Sequence, residues 1–231
     1  MARFLTAAIA GVALVASPAL AQQPKAPAEW GGLTKVSSTR FDAAYVAPTA
    51  NFAVYFKVMI DPTEASFRKN WQRDYNNTKV GIEGRMTDED VRKILADMQT
   101  GFQEVFADAC REAGYEVVTT PGPDVVRLRA TLINLEVDAP DKMTADRTRT
   151  FAEDAGEGTL MLEARDSMSG AILGGAIDRR EIGDNGGFII RRTNVENRSD
   201  FKRTFKQWAK MSVDALTQLK AAAPIAPRAK G

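Results

Sequence analysis

Two long stretches of the chain repeat their apolar residues at helical spacing. From Asp88 to Ala113, the residues Val91, Ile94, Leu95, Met98, Phe102, Val105, Phe106 and Ala109 fall at i, i+3, i+4 and i+7, one face of a helix. Thr87 stands where a side-chain oxygen can accept from the first free amides. Asp90 sits at the reciprocal capping-box position, and Asp88, Glu89 and Asp90 complement the positive helix end. Gly114 follows as the terminating glycine. A second helix is predicted over Arg198 to Leu219, with Phe201, Phe205, Trp208, Ala209, Ser212, Leu216 and Leu219 as its stripe and Ser199 or Asn197 as its cap. Periodicity this regular reads as packed core rather than as a ligand groove.

Other stretches carry the strand period. Phe52 to Ile60 is dense in aromatic and β-branched residues, and the pattern resumes through Ala65 to Arg68 after Pro62. Tyr115 to Thr119 leaves the first helix, and Pro121-Gly122-Pro123-Asp124 is a turn. Val125 to Val137 alternates, with Val126, Leu128, Ala130 and Leu132 on one face and Arg127, Arg129 and Thr131 on the other. Thr159 to Ser167 and Ala171 to Glu181 flank Met168-Ser169-Gly170 as a hairpin. Residues 138–156 and 183–197 have no period and read as long loops. The order β–α–β–β–β–β–α predicts an α+β fold: a two-layer α/β sandwich, its sheet mostly antiparallel, with two long helices packed on one face.

The ends read differently. Met1 and Arg3 precede a 13-residue apolar run, Phe4 to Ala16, then Ser17, Pro18 and the small-x-small triplet Ala19-Leu20-Ala21. This is the layout of a signal peptide cleaved after Ala21, and a spanning helix needs about 20 apolar residues. The expected location is the periplasm, with no membrane span after cleavage; an uncleaved anchor is the alternative. No cysteine follows the run, where a lipoprotein would carry its acylated residue. Residues 22–38 are expected as a Pro/Ala/Gly-rich tether, 39–220 as a single domain and 221–231 as a disordered tail. No internal repeat is visible.

Composition narrows the chemistry. The 231 residues include 31 Lys+Arg against 30 Asp+Glu, and 44% are hydrophobic, an ordinary globular balance. Losing Arg3 with the leader leaves 30 basic against 30 acidic side chains, so bulk attraction to nucleic acid or to anionic lipid is not expected. The chain has no histidine, which removes imidazole acid–base chemistry and histidine metal sites. Its one cysteine, Cys110, excludes an intramolecular disulfide and any multi-cysteine cluster, and a buried inert thiol is the expectation. No cofactor is expected.

The remaining motifs are weak. Ser66-Phe67-Arg68-Lys69 has the Ser-x-x-Lys spacing of penicillin-recognising enzymes, but it lies on or beside a strand and lacks the later Ser-x-Asn and Lys-Thr-Gly elements in place. Glu163 and Asp166 are carboxylates by composition only; three apart on a strand, they face opposite ways, and Asp166 fits a turn-shaping role. Gly156-x-Gly158, Gly174-Gly175 and Gly186-Gly187 open no phosphate loop, and Gly174-Gly175 inside a strand suggests a bulge or a close backbone approach. Asp184-Asn185-Gly186-Gly187 reads as a turn rather than a Ca²⁺ loop. Arg127 and Arg129 share a strand face, and Asp178, Arg179, Arg180 and Glu181 end another strand, which suggests a salt-bridge lattice on an open sheet face. The sharper reading makes Arg127, Arg129 and Arg179 a partner-binding surface, with Trp30 and Tyr45 as adhesive aromatics.

Several segments together resemble a known family. They are Trp30-Gly31-Gly32-Leu33, Phe41-Asp42-Ala43-Ala44-Tyr45-Val46-Ala47-Pro48, Tyr55 to Pro62, Ala113 to Val118, Pro121 to Leu128, Arg165 to Gly170, and Asp178-Arg179-Arg180. In this order they resemble the bacterial domain-of-unknown-function family 3313, exported envelope proteins that are often lipoproteins. The resemblance implies an envelope location and an α/β sandwich, and no activity. The missing lipobox cysteine keeps lipid anchoring from being carried over. The sequence therefore points to a non-catalytic envelope accessory protein whose partner is an envelope protein or cell-wall polymer. The alternatives are a cell-wall enzyme using carboxylates or a Ser–Lys pair, and a small-ligand carrier with an apolar cavity between helices and sheet.

Overall fold

The computed structural model describes residues 29–79, 81–82, 84–138, 150–152, 155–183, 190–192 and 194–222. In chain order the elements are β1 (Glu29–Trp30), β2 (Leu33–Val36), β3 (Ala43–Val46), a 3-10 turn (Phe52–Val54), β4 (Lys57–Ile60), β5 (Glu64–Phe67), α1 (Trp71–Asn77), α2 (Asp88–Glu112), β6 (Glu116–Val118), β7 (Val125–Val137), β8 (Thr150–Ala152), β9 (Gly156–Asp166), β10 (Ile172–Ile182), β11 (Ile190–Arg192) and α3 (Asn194–Ala221).

Local chemistry sets the longest elements. Thr87 accepts from the Asp90 amide while the Asp90 carboxylate accepts from Thr87 N–H, so the capping box closes α2 as the pattern requires. Gly114, at φ +86°, ends it. Alternation in β7 places Val126, Leu128, Ala130 and Leu132 in the core, while Arg127, Arg129 and Thr131 stay half-exposed. The main sheet runs β1-β2-β3-β10-β9-β7-β4-β6, with β5 also on β7. Most neighbours are antiparallel, whereas β4 and β5 join β7, and β6 joins β4, in parallel.

Both long helices pack on one face of this sheet, giving the expected α+β sandwich. Phe102 meets Phe205 edge-on at 5.4 Å and Tyr115 Oη lies 3.2 Å from Thr217 Oγ1, so α2 and α3 run parallel. Phe102, Phe106, Phe205 and Trp208 fill the layer between them and the sheet. At ~25 cal/mol per Å² of apolar area, each such ring contributes several kcal/mol against the cost of ordering it.

Several expectations are corrected. Phe52–Ile60 is not one strand: the Asn51 carboxamide accepts from Ala53 N–H, winds Phe52–Val54 into a 3-10 turn, and delays the strand to Lys57. Helix α1 was not expected; Trp71 stacks on Phe67 at 3.9 Å, and this contact fixes a segment with no helical stripe of its own. Within the stretch read as a tether, Glu29–Trp30 and Leu33–Val36 are strands, because they cover an apolar patch on β3 and β10. The supposed loops contain β8 and β11, which pair with each other. Asn197 and Ser199 lie inside α3, which starts at Asn194, so neither is its cap. Residues 1–21 and the tail beyond 222 lie outside the described residues.

Candidate functional site

The sheet's helix-facing side is not uniformly filled. Strand pairing sets Ala44, Ala176 and Leu162 in one row and Val46, Gly174, Ala164 and Leu128 in the next. Opposite lies the last part of α3, with Ser212, Ala215, Leu216 and Leu219. Small residues facing small residues leave a cavity of about 390 Å³, roofed by residues 36–41. Its lining is mostly apolar; Ser37, Ser38, Thr39, Arg40 and Gln218 stand at the mouth, and the buried Ser212 donates its hydroxyl to the Trp208 carbonyl. Arg40 Nη1 donates to Gln218 Oε1 at 2.5 Å, joining the 36–41 segment to α3. Among the described residues no carboxylate pairs with Arg40. Ligand pockets typically run ~300–1,000 Å³ with few polar groups, and this cavity fits that range. Sequence reasoning missed it, because the small residues are scattered along three strands and align only in the paired register.

The opposite face of the sheet carries charge. Arg127 Nε donates to Asp61 Oδ1 at 2.6 Å and Arg129 Nη2 to Glu64 Oε1 at 2.6 Å. Arg165 pairs with Glu163 at 2.7 Å, and Arg179 pairs with Glu157. The Glu64 carboxylate beside Arg129 raises the guanidinium pKa further above its ordinary value. Arg127 and Arg129 share a strand as expected, but β9 separates them from Arg179, which aligns with Ile133 through Thr159. Two strand spacings and four residues of rise put Arg129 and Arg179 about 16 Å apart, so the three arginines do not converge. Each meets a carboxylate instead. Asp178 and Arg180 are corrected: strand alternation turns both to the helix side, where Arg180 Nε donates to Asp178 at 2.7 Å and Asp178 is buried.

Trp30 and Tyr45 do meet, edge to face with centroids 5.6 Å apart. Tyr45 is only 1% exposed, enclosed with Leu33 and Ala43 beneath Trp30, so it is a packing residue and not an adhesive one. Gly175 makes room for this: a Cβ there would sit 2.6 Å from Trp30 Cζ3. At Gly174 a Cβ would sit 3.0 Å from the Tyr45 carbonyl oxygen, and the register shifts between Ile172 and Gly174. The glycine pair thus serves close approach and a bulge together.

The other candidates stand apart. Ser66 and Lys69 are both exposed, on β5 and in the turn after it. Asp166 shapes the hairpin, accepting from Met168 N–H, Ser169 N–H and Ser169 Oγ–H, with Tyr55 Oη donating to its other oxygen at 2.9 Å. The Ser169 amide, more than any other contact, holds its carboxyl below the usual range. Burial, then the Asp166 bond, pushes the Tyr55 phenol up to about 12. Cys110 is buried, and burial pushes its thiol up to about 12. Asp184-Asn185-Gly186-Gly187 lies outside the described residues. Among the described residues no three acidic or cysteine side chains gather as metal ligands. No described helix is long and apolar enough to cross a membrane.

Among solved structures, the chain is similar to a PelC dodecamer from Paraburkholderia phytofirmans, at 13% identity over 80% of this chain and 96% of that one, with TM-score 0.37. It is also similar to a DUF330 family protein from Xanthomonas campestris, at 10% identity over 77% and 94% of the two chains, with TM-score 0.40. A minor lipoprotein from Acinetobacter baumannii matches at 10% identity over 73% and 92%, with TM-score 0.29. No curated protein sequence matches the chain. Residues 24–212 match the family described as protein of unknown function DUF3313, and the chain belongs to that family.

Proposed function

We propose that this protein is an exported, non-catalytic accessory protein of the bacterial envelope that binds a single acyl chain with an anionic headgroup. The apolar cavity between the end of α3 and the sheet carries this reading. Burying methylenes there gains about 0.8 kcal/mol each. The Arg40 guanidinium, hydrogen-bonded among the described residues only to the neutral Gln218, supplies a cation at the mouth for a carboxylate or phosphate. The leader pattern of residues 1–21 supports export to a compartment where acyl chains are abundant. Among the sequence-based alternatives this is the small-ligand carrier.

Dodecanoate and dodecanol, titrated calorimetrically into the secreted chain, test it. Saturable binding of dodecanoate is expected, with Arg40→Ala weakening dodecanoate about tenfold or more and leaving dodecanol nearly unchanged. Ala215→Phe, which fills the cavity from α3, is expected to abolish both while retaining the circular dichroism of the wild type. Absence of saturable binding for both probes, or binding indifferent to Ala215→Phe in a folded chain, would refute the reading.

A further inference from the structure

The two parallel helices leave a groove of about 1,100 Å³ between them, its lining reaching down to Phe201, Phe205 and, from β7, Val137. Its walls have opposite charge. Asp97, Glu104, Asp108 and Glu112 of α2 form one wall, and Arg198, Lys202, Lys206 and Lys210 of α3, with Asp214 at the end beside Lys210, form the other. The basic residues recur every four positions, so like charges stack along one helix face, an arrangement that is unfavourable by itself. Asp108 pairs with Arg111 and Lys210 with Asp214, each within its own helix. Lys202 and Lys206 make no ion pair with Asp97 or Glu104 across the groove, among the described residues. Half-buried Ile94, Met98 and Val105 line the space between the walls.

Gly101 adds a second, independent observation. It lies in the interior of α2, where glycine is a poor helix former, and it lines the groove. A Cβ built there meets nothing within 4 Å, so no contact inside the chain uses the missing side chain. A bare helix position facing outward suits close approach by a surface from another molecule.

From these features we infer that the groove is the contact surface for a second copy of this chain. A two-fold axis running along the groove lays the acidic α2 wall of each copy on the basic α3 wall of the other, so the pairing is satisfied twice. The two-fold running across the groove sets acid on acid and base on base, and is disfavoured. The contact is therefore isologous, with all four long helices lying side by side and the Gly101 positions letting them approach. This inference is independent of the acyl-chain reading, because the groove and the apolar cavity share no residue.

Sedimentation velocity on the secreted chain at about 100 μM tests it, a concentration at which even a ~10 μM contact is mostly formed. A dimer that weakens with added salt is expected. Lys202→Glu with Lys206→Glu, and separately Glu104→Lys with Asp108→Lys, should each weaken self-association at least about tenfold. Mixing the two reversed chains should restore a dimer, now a heterodimer. Gly101→Phe should also give monomer while circular dichroism stays unchanged. A monomeric wild type overturns the inference and leaves the groove to a different partner. A dimer indifferent to both reversals and to Gly101→Phe, or reversed chains that fail to recombine, overturns it as well.

Discussion

The indole Nε1 of Trp208 donates to Oδ2 of Asp178 at 2.7 Å, tying the middle of α3 to the helix-facing side of β10. Both residues are buried, and Arg180 Nε donates to the same oxygen. A carboxylate on this side of the sheet is tolerated because both donors meet it. Trp208→Phe keeps most of the ring and removes one donor, so a loss of about 2–3 kcal/mol is expected in urea unfolding. In an Asp178→Asn background the same change should cost clearly less. Equal costs in both backgrounds would show that the bond contributes nothing beyond packing.

Gly175 determines where the N-terminal ribbon lies. Gly175→Val should force Trp30 off the sheet and destabilise the fold by about 1–3 kcal/mol. Trp30 emission should shift to the red, and Trp30→Ala in the same chain should recover much of the stability. A Gly175→Val chain with unchanged emission would mean that the ribbon does not depend on this slot.

With no histidine in the chain, stability should be nearly flat from about pH 6 to pH 9. Tyr55 has its folded pKa raised to about 12. Its stabilisation is therefore complete below the ordinary phenol value near 10 and is lost as pH climbs from there through 12. Asp166 has the opposite sign: its depressed folded pKa stabilises above the ordinary carboxylate value, and this is lost as pH falls through the folded one. Urea midpoints across pH should show both limbs, and Tyr55→Phe should remove part of the alkaline one.

Cys110 should resist thiol reagents in the native state. At pH 8 its raised pKa leaves about a thousandfold less thiolate than a free cysteine, and burial blocks access besides. An aromatic disulfide reagent should modify it at a rate that follows denaturant-induced unfolding. Rapid labelling of the folded chain would contradict the packing of α2.

The parts legible in the sequence are those specified by neighbours in the chain. Thr87, Asp90, the apolar stripe and Gly114 lie within one element, and α2 appears almost where they place it. The alternation of β7 and the hairpin turned by Asp166 were legible for the same reason. The start of α3 was not, because Asn197 and Ser199 have cap chemistry yet helix continues on both sides of them. Burial of Tyr45 depends on Trp30 folding back over Gly175, a contact between residues far apart in the chain. The cavity depends on the register that aligns Ala44, Ala176, Ala164 and Gly174, which no local pattern carries.

Strand β7 has its two edges supplied from opposite directions in the chain. One edge takes β4 and then β5, which precede it; the other takes β9, which follows. As the chain emerges from the N-terminus, β7 is complete for some time before residue 156 arrives. During that interval its second edge is a bare template on which a neighbouring molecule's strand can add. Pairing with β9 is what closes that edge, so β9 guards the sheet against strand addition as well as completing it.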